Sequence, residues 1–166
     1  TRKKNDKGLS GHSRDLLRYG EINPIREYRH QIETGEITVG VKVRAVVQKL
    51  VHDLDDKNSE WEYSPKKANH PIEFMERFCR QSKGKQGGKP LKLELFERAI
   101  IAAAFGFVHK IDGTRKYREL ILMLARKNGK STLGSGLALY MQLGDGENGP
   151  EVVSAATKRD QAKIIW

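Results

Sequence analysis

Four consecutive residues, Gly129-Lys130-Ser131-Thr132, carry the groups that phosphate chemistry uses. They supply a glycine that lets backbone amides approach an anion, a lysine for the β and γ phosphates of a nucleotide, and a hydroxyl for Mg2+. Gly-Lys-Ser alone is common on exposed loops. Here it follows Arg118-Glu119-Leu120-Ile121-Leu122-Met123-Leu124, an apolar-rich stretch that reads as a strand. It also opens a helix expected from about Lys130 to Leu143, with Leu133, Leu137, Tyr140 and Met141 facing inward. The unpaired amides and positive dipole end of such a helix add to the attraction for phosphate. Leu124 to Thr132 are therefore expected to form a phosphate-binding loop, with ATP and Mg2+ as its ligands. The usual pattern has a glycine five residues before Gly129, where this chain has Leu124.

Several elements must position that loop. Glu151-Val152-Val153-Ser154-Ala155 reads as a second strand, and Thr157 as a helix cap with Asp160 as its partner. The order strand, loop, helix, strand, helix predicts an α/β fold: a P-loop NTPase core with a parallel sheet, preceded by a mainly helical region. Upstream, Leu91 to Phe105 should be a buried helix ended by Gly106. Phe107 to Ile111 and Tyr117 to Leu124 should be strands flanking an Asp112-Gly113 turn. Val46, Val47, Leu50, Val51 and Leu54 fall at helical spacing from Val43 to about Asp55-Asp56, with Arg44, Gln48 and Lys49 opposite. Ser64-Pro65 reads as a cap and first-turn proline, and Pro71 as the start of a second helix carrying Ile72, Phe74, Met75 and Phe78. Lys83 to Pro90 lacks apolar residues and is dense in glycine, so the main boundary is placed there. Residues 1–90 are read as a basic arm and helical region, and 91–166 as the first part of a P-loop ATPase domain.

The chain has 166 residues, a formal net charge of +10 and a sequence pI near 9.7. Such a charge fits a polyanionic partner, most commonly nucleic acid, or equally a soluble basic surface without a ligand. Residues 1 to about 20 read as a flexible basic arm, either solvated or touching DNA. The single cysteine, Cys79, rules out an intrachain disulfide and fits a reducing compartment; it reads as a buried helix residue. No apolar run approaches the roughly 20 residues needed to cross a bilayer. The five histidines show no ligand spacing. Asp53-Leu54-Asp55-Asp56 reads as a solvated helix end. No apolar strand ending in Asp-Glu follows the loop, and no acidic triad suits two-metal nuclease chemistry. The first residue, Thr1, and the apolar end Ala162 to Trp166 are read as signs of a longer protein cut before its Walker B strand. The exposed edge this would leave predicts self-association.

Ala125-Arg126-Lys127-Asn128-Gly129-Lys130-Ser131-Thr132 resembles the variant Walker A of the large terminase subunits of tailed bacteriophages, which commonly lacks the first glycine and carries basic residues. Further similarities lie in order along the chain: Lys89-Pro90-Leu91-Lys92-Leu93-Glu94, Ala138-Leu139-Tyr140, and Ala155-Ala156-Thr157-Lys158-Arg159-Asp160-Gln161-Ala162. Trp61 to Phe78 also resembles the N-terminal part of members with long leaders. The resemblance implies an ATP-driven motor in the host cytoplasm that translocates double-stranded DNA into a procapsid. Its partners would be the portal protein and the small terminase subunit, in a ring of large subunits and without a membrane. It implies that Lys130 holds the β and γ phosphates, Ser131 coordinates Mg2+, and Arg126 senses or stabilises the γ-phosphate. Ala125, Lys127, Asn128, Gly129 and Thr132 would complete the loop. Phe96-Glu97 stands where the family has an aromatic-Gln pair near adenine; glutamate can accept from an amino group but does not donate as Gln does, so this pair departs from the family's adenine-selective pattern. Phe96 reads equally as a core residue of its helix. The competing reading is a basic DNA- or protein-docking module whose loop is vestigial, for which DNA binding would be salt-sensitive and indifferent to ATP.

Overall fold

A computed structural model describes residues 23–81 and 87–156. Helix α1, Pro24–Glu33, begins at Asn23, whose Oδ1 accepts the Ile25 amide at 2.9 Å, and buries Ile25 and Ile32. Its apolar residues are too sparse to signal a helix in the sequence. Helix α2, Val41–Asp55, lays Val47 and Val51 into the core, while its first turns leave Val41, Val43 and Val46 exposed. The short strand β1, Trp61–Tyr63, leads into α3, Pro65–Phe78, which is capped by Ser64 Oγ accepting from the Lys67 amide. Helix α4, Leu95–Gly106, runs into β2, Phe107–His109, and α5, Lys130–Leu143, follows the glycine-lysine loop.

The expected parallel sheet is not seen among the described residues. Among the described residues the sheet has two strands, β1 antiparallel to β2, with Trp61 opposite His109 and Tyr63 opposite Phe107. Around Asp112-Gly113 the chain does reverse, but the returning arm is residues 114–116. His109 N–H donates to Thr114 O at 2.8 Å and Lys116 N–H to Phe107 O at 2.9 Å. Residues 118–124 form no ladder, and Ile121 and Met123 are 85% and 90% exposed. A strand exists only with a neighbour to exchange amide and carbonyl bonds, and no described segment lies in register beside this one. Glu151 to Ala155 likewise forms no strand among the described residues. The expectations for residues 1–20, Lys83 to Gln86, Thr157 with Asp160, and Ala162 to Trp166 lie outside the described residues.

One core gathers α1 to α5: Ile25, Val51, Ile72, Met75, Ile101, Phe105, Phe107, Leu133 and Tyr140 belong to it. Helices from both sides of residue 90 share it, and the turn at 87–90 is closed by Gln81 N–H donating to Lys89 O at 2.9 Å. Pro71 does not start a helix; it lies inside α3 with its ring fully buried, and that burial offsets the lost amide. Gly106 ends α4 without a left-handed turn. Its role is steric, since a β-carbon there would come within 2.5 Å of the Tyr63 ring and 2.9 Å of the Ala68 methyl. Met141, expected to face inward, is exposed, as is Phe78, and Cys79 is a half-buried residue capping α3 rather than lying inside it.

Candidate functional site

The loop between Leu124 and α5 turns on two residues in the left-handed region, Lys127 and Gly129, both with φ of 69°. Glycine adopts this φ without cost, whereas Lys127 holds it against the clash of its β-carbon with the backbone. Alternation of such residues with right-handed ones turns successive amides toward one side, a concavity suited to anions. Helix α5 has no side-chain cap at Gly129, so its first amides remain available at the loop. Arg126, Lys127, Asn128, Gly129, Lys130 and Ser131 are all exposed, and Thr132 is half-buried.

Lys130 reaches back across the loop, its Nζ donating to the carbonyls of Leu124 at 2.8 Å and Ala125 at 2.9 Å. The ammonium thus lies on the inner side of the turn. Ser131 is the second residue of α5, and both it and Arg126 are exposed.

A cavity of about 310 Å³ joins this loop to the start of α4. Phe96 and Glu97 form one wall, and Lys127, Asn128, Gly129 and Thr132 the other. Six of the residues singled out in the sequence therefore meet in one place, although Ala125, Arg126, Lys130 and Ser131 do not line this cavity. Gln81, Leu133 and the lead-in residues Leu91, Lys92, Leu93 and Glu94 complete it. Sequence reasoning did not assign them to the site, because only tertiary packing brings the lead-in to α4 beside the loop.

Phe96 is half-buried against the cavity, whereas Glu97 is buried at 8% exposure. Glu97 Oε2 accepts the Glu94 amide at 2.9 Å, capping α4, and Oε1 faces Gly129. Burial pushes the Glu97 carboxyl above its ordinary range, the Glu94 amide pulls it down, and the Glu94 charge adds to the rise.

A second polar centre ties the loop's incoming segment to α2. Asp53 Oδ2 accepts from Lys49 and Lys116, each at 2.8 Å, and from the Tyr117 hydroxyl at 3.3 Å. Burial would raise this carboxyl, but the Lys116 and Lys49 hydrogen bonds outweigh it and hold it at about 2. Asp53 is thus not part of a solvated helix end, as its sequence neighbours implied. On the far side of α5, His70 Nδ1 and the Tyr140 hydroxyl lie 3.0 Å apart, and Arg115 pairs with Asp145 at 3.1 Å. These contacts fix α5 against α3 and the hairpin, and through them the orientation of the loop.

No described helix is long and apolar enough to cross a membrane. A family model described as "Terminase large subunit, ATPase domain" matches residues 95–166. The large terminase subunit of Enterobacteria phage HK97 is 35% identical over 96 residues, a stretch covering 57% of this chain and 18% of that protein. The matched stretch is thus under a fifth of the relative's length. No solved structure matches the chain.

Proposed function

Residues 95–166 belong to the ATPase domain of terminase large subunits, and from that membership we propose that this chain is the ATP-binding portion of a viral DNA-packaging motor. In this reading the complete protein works in the host cytoplasm as a ring of large subunits, with portal protein and small terminase subunit as partners. ATP turnover there drives double-stranded DNA into procapsids, and the residues for water activation and DNA cleavage belong to the complete protein. Lys130 holds the β and γ phosphates, Ser131 coordinates Mg2+, and Arg126 stabilises the γ-phosphate. The amides at the start of α5 bind the phosphate oxygens, and Phe96 and Glu97 bound the nucleotide on the α4 side. The parallel sheet of a P-loop core, with 118–124 as its first strand, and the division near residue 90 are part of the same proposal.

The observation that carries it is the convergence of Phe96, Glu97, Asn128, Gly129 and Thr132 on one cavity at the uncapped N-terminus of α5. The docking-module alternative draws support from the unpaired, exposed segment 118–124 and from the engagement of the Lys130 ammonium by loop carbonyls. Titration with a fluorescent ATP analogue and Mg2+, beside Lys130→Ala and with turnover followed in the same samples, separates the two. Loss of the ammonium's charge-assisted bonds should weaken binding about ten- to a hundredfold. Failure of both proteins to bind nucleotide, with salt-sensitive DNA binding retained, would leave the docking module in its place.

A further inference from the structure

Among the described residues the one buried charged side chain is Glu97, and it stands against the phosphate loop. One oxygen is occupied by the Glu94 amide, and the other faces Gly129 closely enough that a β-carbon there would lie 3.1 Å away. The charged groups on the elements around it are Glu94 and Arg98 on its own segment, Lys92 in the lead-in, Glu76 on α3, and Lys127 and Lys130 in the loop. Arg98 is paired with Glu76 at 2.9 Å, and the Lys130 ammonium is bound to Leu124 and Ala125 carbonyls. A polyphosphate seated in the loop would bring several negative charges to the wall that Glu97 forms. Like charges in a poorly solvated site disfavour joint ionisation, so one of them takes a proton.

We propose that Glu97 is a proton-coupled wall of the phosphate loop: nucleotide binds together with one proton held on the Glu97 carboxyl. The inference rests on the nucleotide-site reading above and adds a regulator to it. The neutral carboxyl keeps the Glu94 amide on its carbonyl oxygen and turns its O–H toward the ligand side, supplying the donor that an ionised glutamate lacks. The proton comes from solvent and returns there when the nucleotide leaves. The burial that already favours the neutral carboxyl in the free protein works in the same direction.

The test is calorimetric titration of the full chain with Mg-ADP in two buffers of different ionisation enthalpy, across about pH 5 to 8. The proton count is corrected for the free nucleotide's own ionisation and compared with that of Glu97→Gln. The wild type should take up a proton fraction that the variant does not. Its affinity should fall as pH rises, by at most about tenfold per pH unit for a single proton. Glu97→Gln should flatten the profile and bind more tightly than wild type at about pH 8. Binding with no wild-type proton uptake would overturn this inference while leaving the nucleotide site standing, and that result needs no variant to fold. No Mg-ADP binding by the wild type would overturn the nucleotide site itself.

Discussion

Replacing Gly129 by alanine places a methyl group where the structure has both a left-handed backbone and a close neighbour. The φ of 69° costs a residue with a β-carbon about 1–2 kcal/mol, against which alanine recovers about 0.4–1 kcal/mol by restricting the unfolded chain. The added β-carbon would sit 3.1 Å from Glu97 Oε1, inside comfortable contact, and moving a side chain that is buried and hydrogen-bonded adds about 1 kcal/mol, the low end of overpacking. The net loss is about 1–2 kcal/mol, a fall in Tm of about 2–8 °C for a chain of this size. Thermal unfolding followed by circular dichroism measures it. Repeating the substitution in a Glu97→Ala background should remove the contact part and leave the backbone part, giving a coupling energy of about 1 kcal/mol. At the proposed nucleotide site the same methyl would intrude between backbone and phosphate, so nucleotide affinity should fall by about tenfold or more. A Gly129→Ala protein with unchanged Tm and affinity would refute both the left-handed turn and its contact with Glu97.

Two glycines of α5 should respond with opposite signs. Gly136→Val would drive its side chain into the fully buried Met75, whose Cε lies 2.4 Å from the β-carbon position, and should cost about 2 kcal/mol in chemical denaturation. Gly134→Ala meets nothing within 4 Å and should stabilise by about 1 kcal/mol through helix propensity. Asp53→Ala removes the shared acceptor of Lys49, Lys116 and Tyr117 and should destabilise by about 2–3 kcal/mol, since Lys116 is left half-buried without that acceptor. Because the folded carboxyl sits at about 2, below its ordinary value near 4, its contribution is present above pH 4 and lost as pH falls toward 2. Acid titration should therefore show a loss of stability over that window in wild type that is missing from Asp53→Ala. Glu97 has the opposite sign: its raised carboxyl costs the fold nothing below the ordinary carboxyl value, and the penalty builds as pH rises from there to the folded value. Glu97→Gln should accordingly raise Tm at pH 7 and leave it unchanged near pH 4.

Much of the helical framework was legible because its signals are local. The Ser64-Pro65 start of α3, the end of α2 at Asp55, and the whole span Lys130–Leu143 of α5 follow from caps, a terminating residue and apolar spacing within a few turns. The placement of Gly129 at the entrance to α5 was equally legible, since its left-handed φ is a property the residue type supplies. Helix α1 escaped notice although Asn23-Pro24 is a cap and first-turn proline, because its two buried isoleucines are seven residues apart among polar neighbours. Residues 118–124 carry strand-forming side chains, but a ladder depends on a partner that no local pattern can provide. Pro71 reads as a helix start from its neighbours and lies mid-helix because the core takes up its ring.

The sequence by itself determined which residues could touch phosphate, since the amide-exposing glycine, the lysine and the hydroxyl are adjacent in the chain. Only the tertiary structure decided that Glu97, 32 residues before Gly129, faces it across a cavity, and that Asp53 is anchored by Lys116 and Tyr117 rather than solvated. The physical reason is the same in both cases. A carboxylate's ionisation and hydrogen bonding are set by burial and by partners distant in sequence, and those exist only once α2, α3, α4 and α5 have closed on one core.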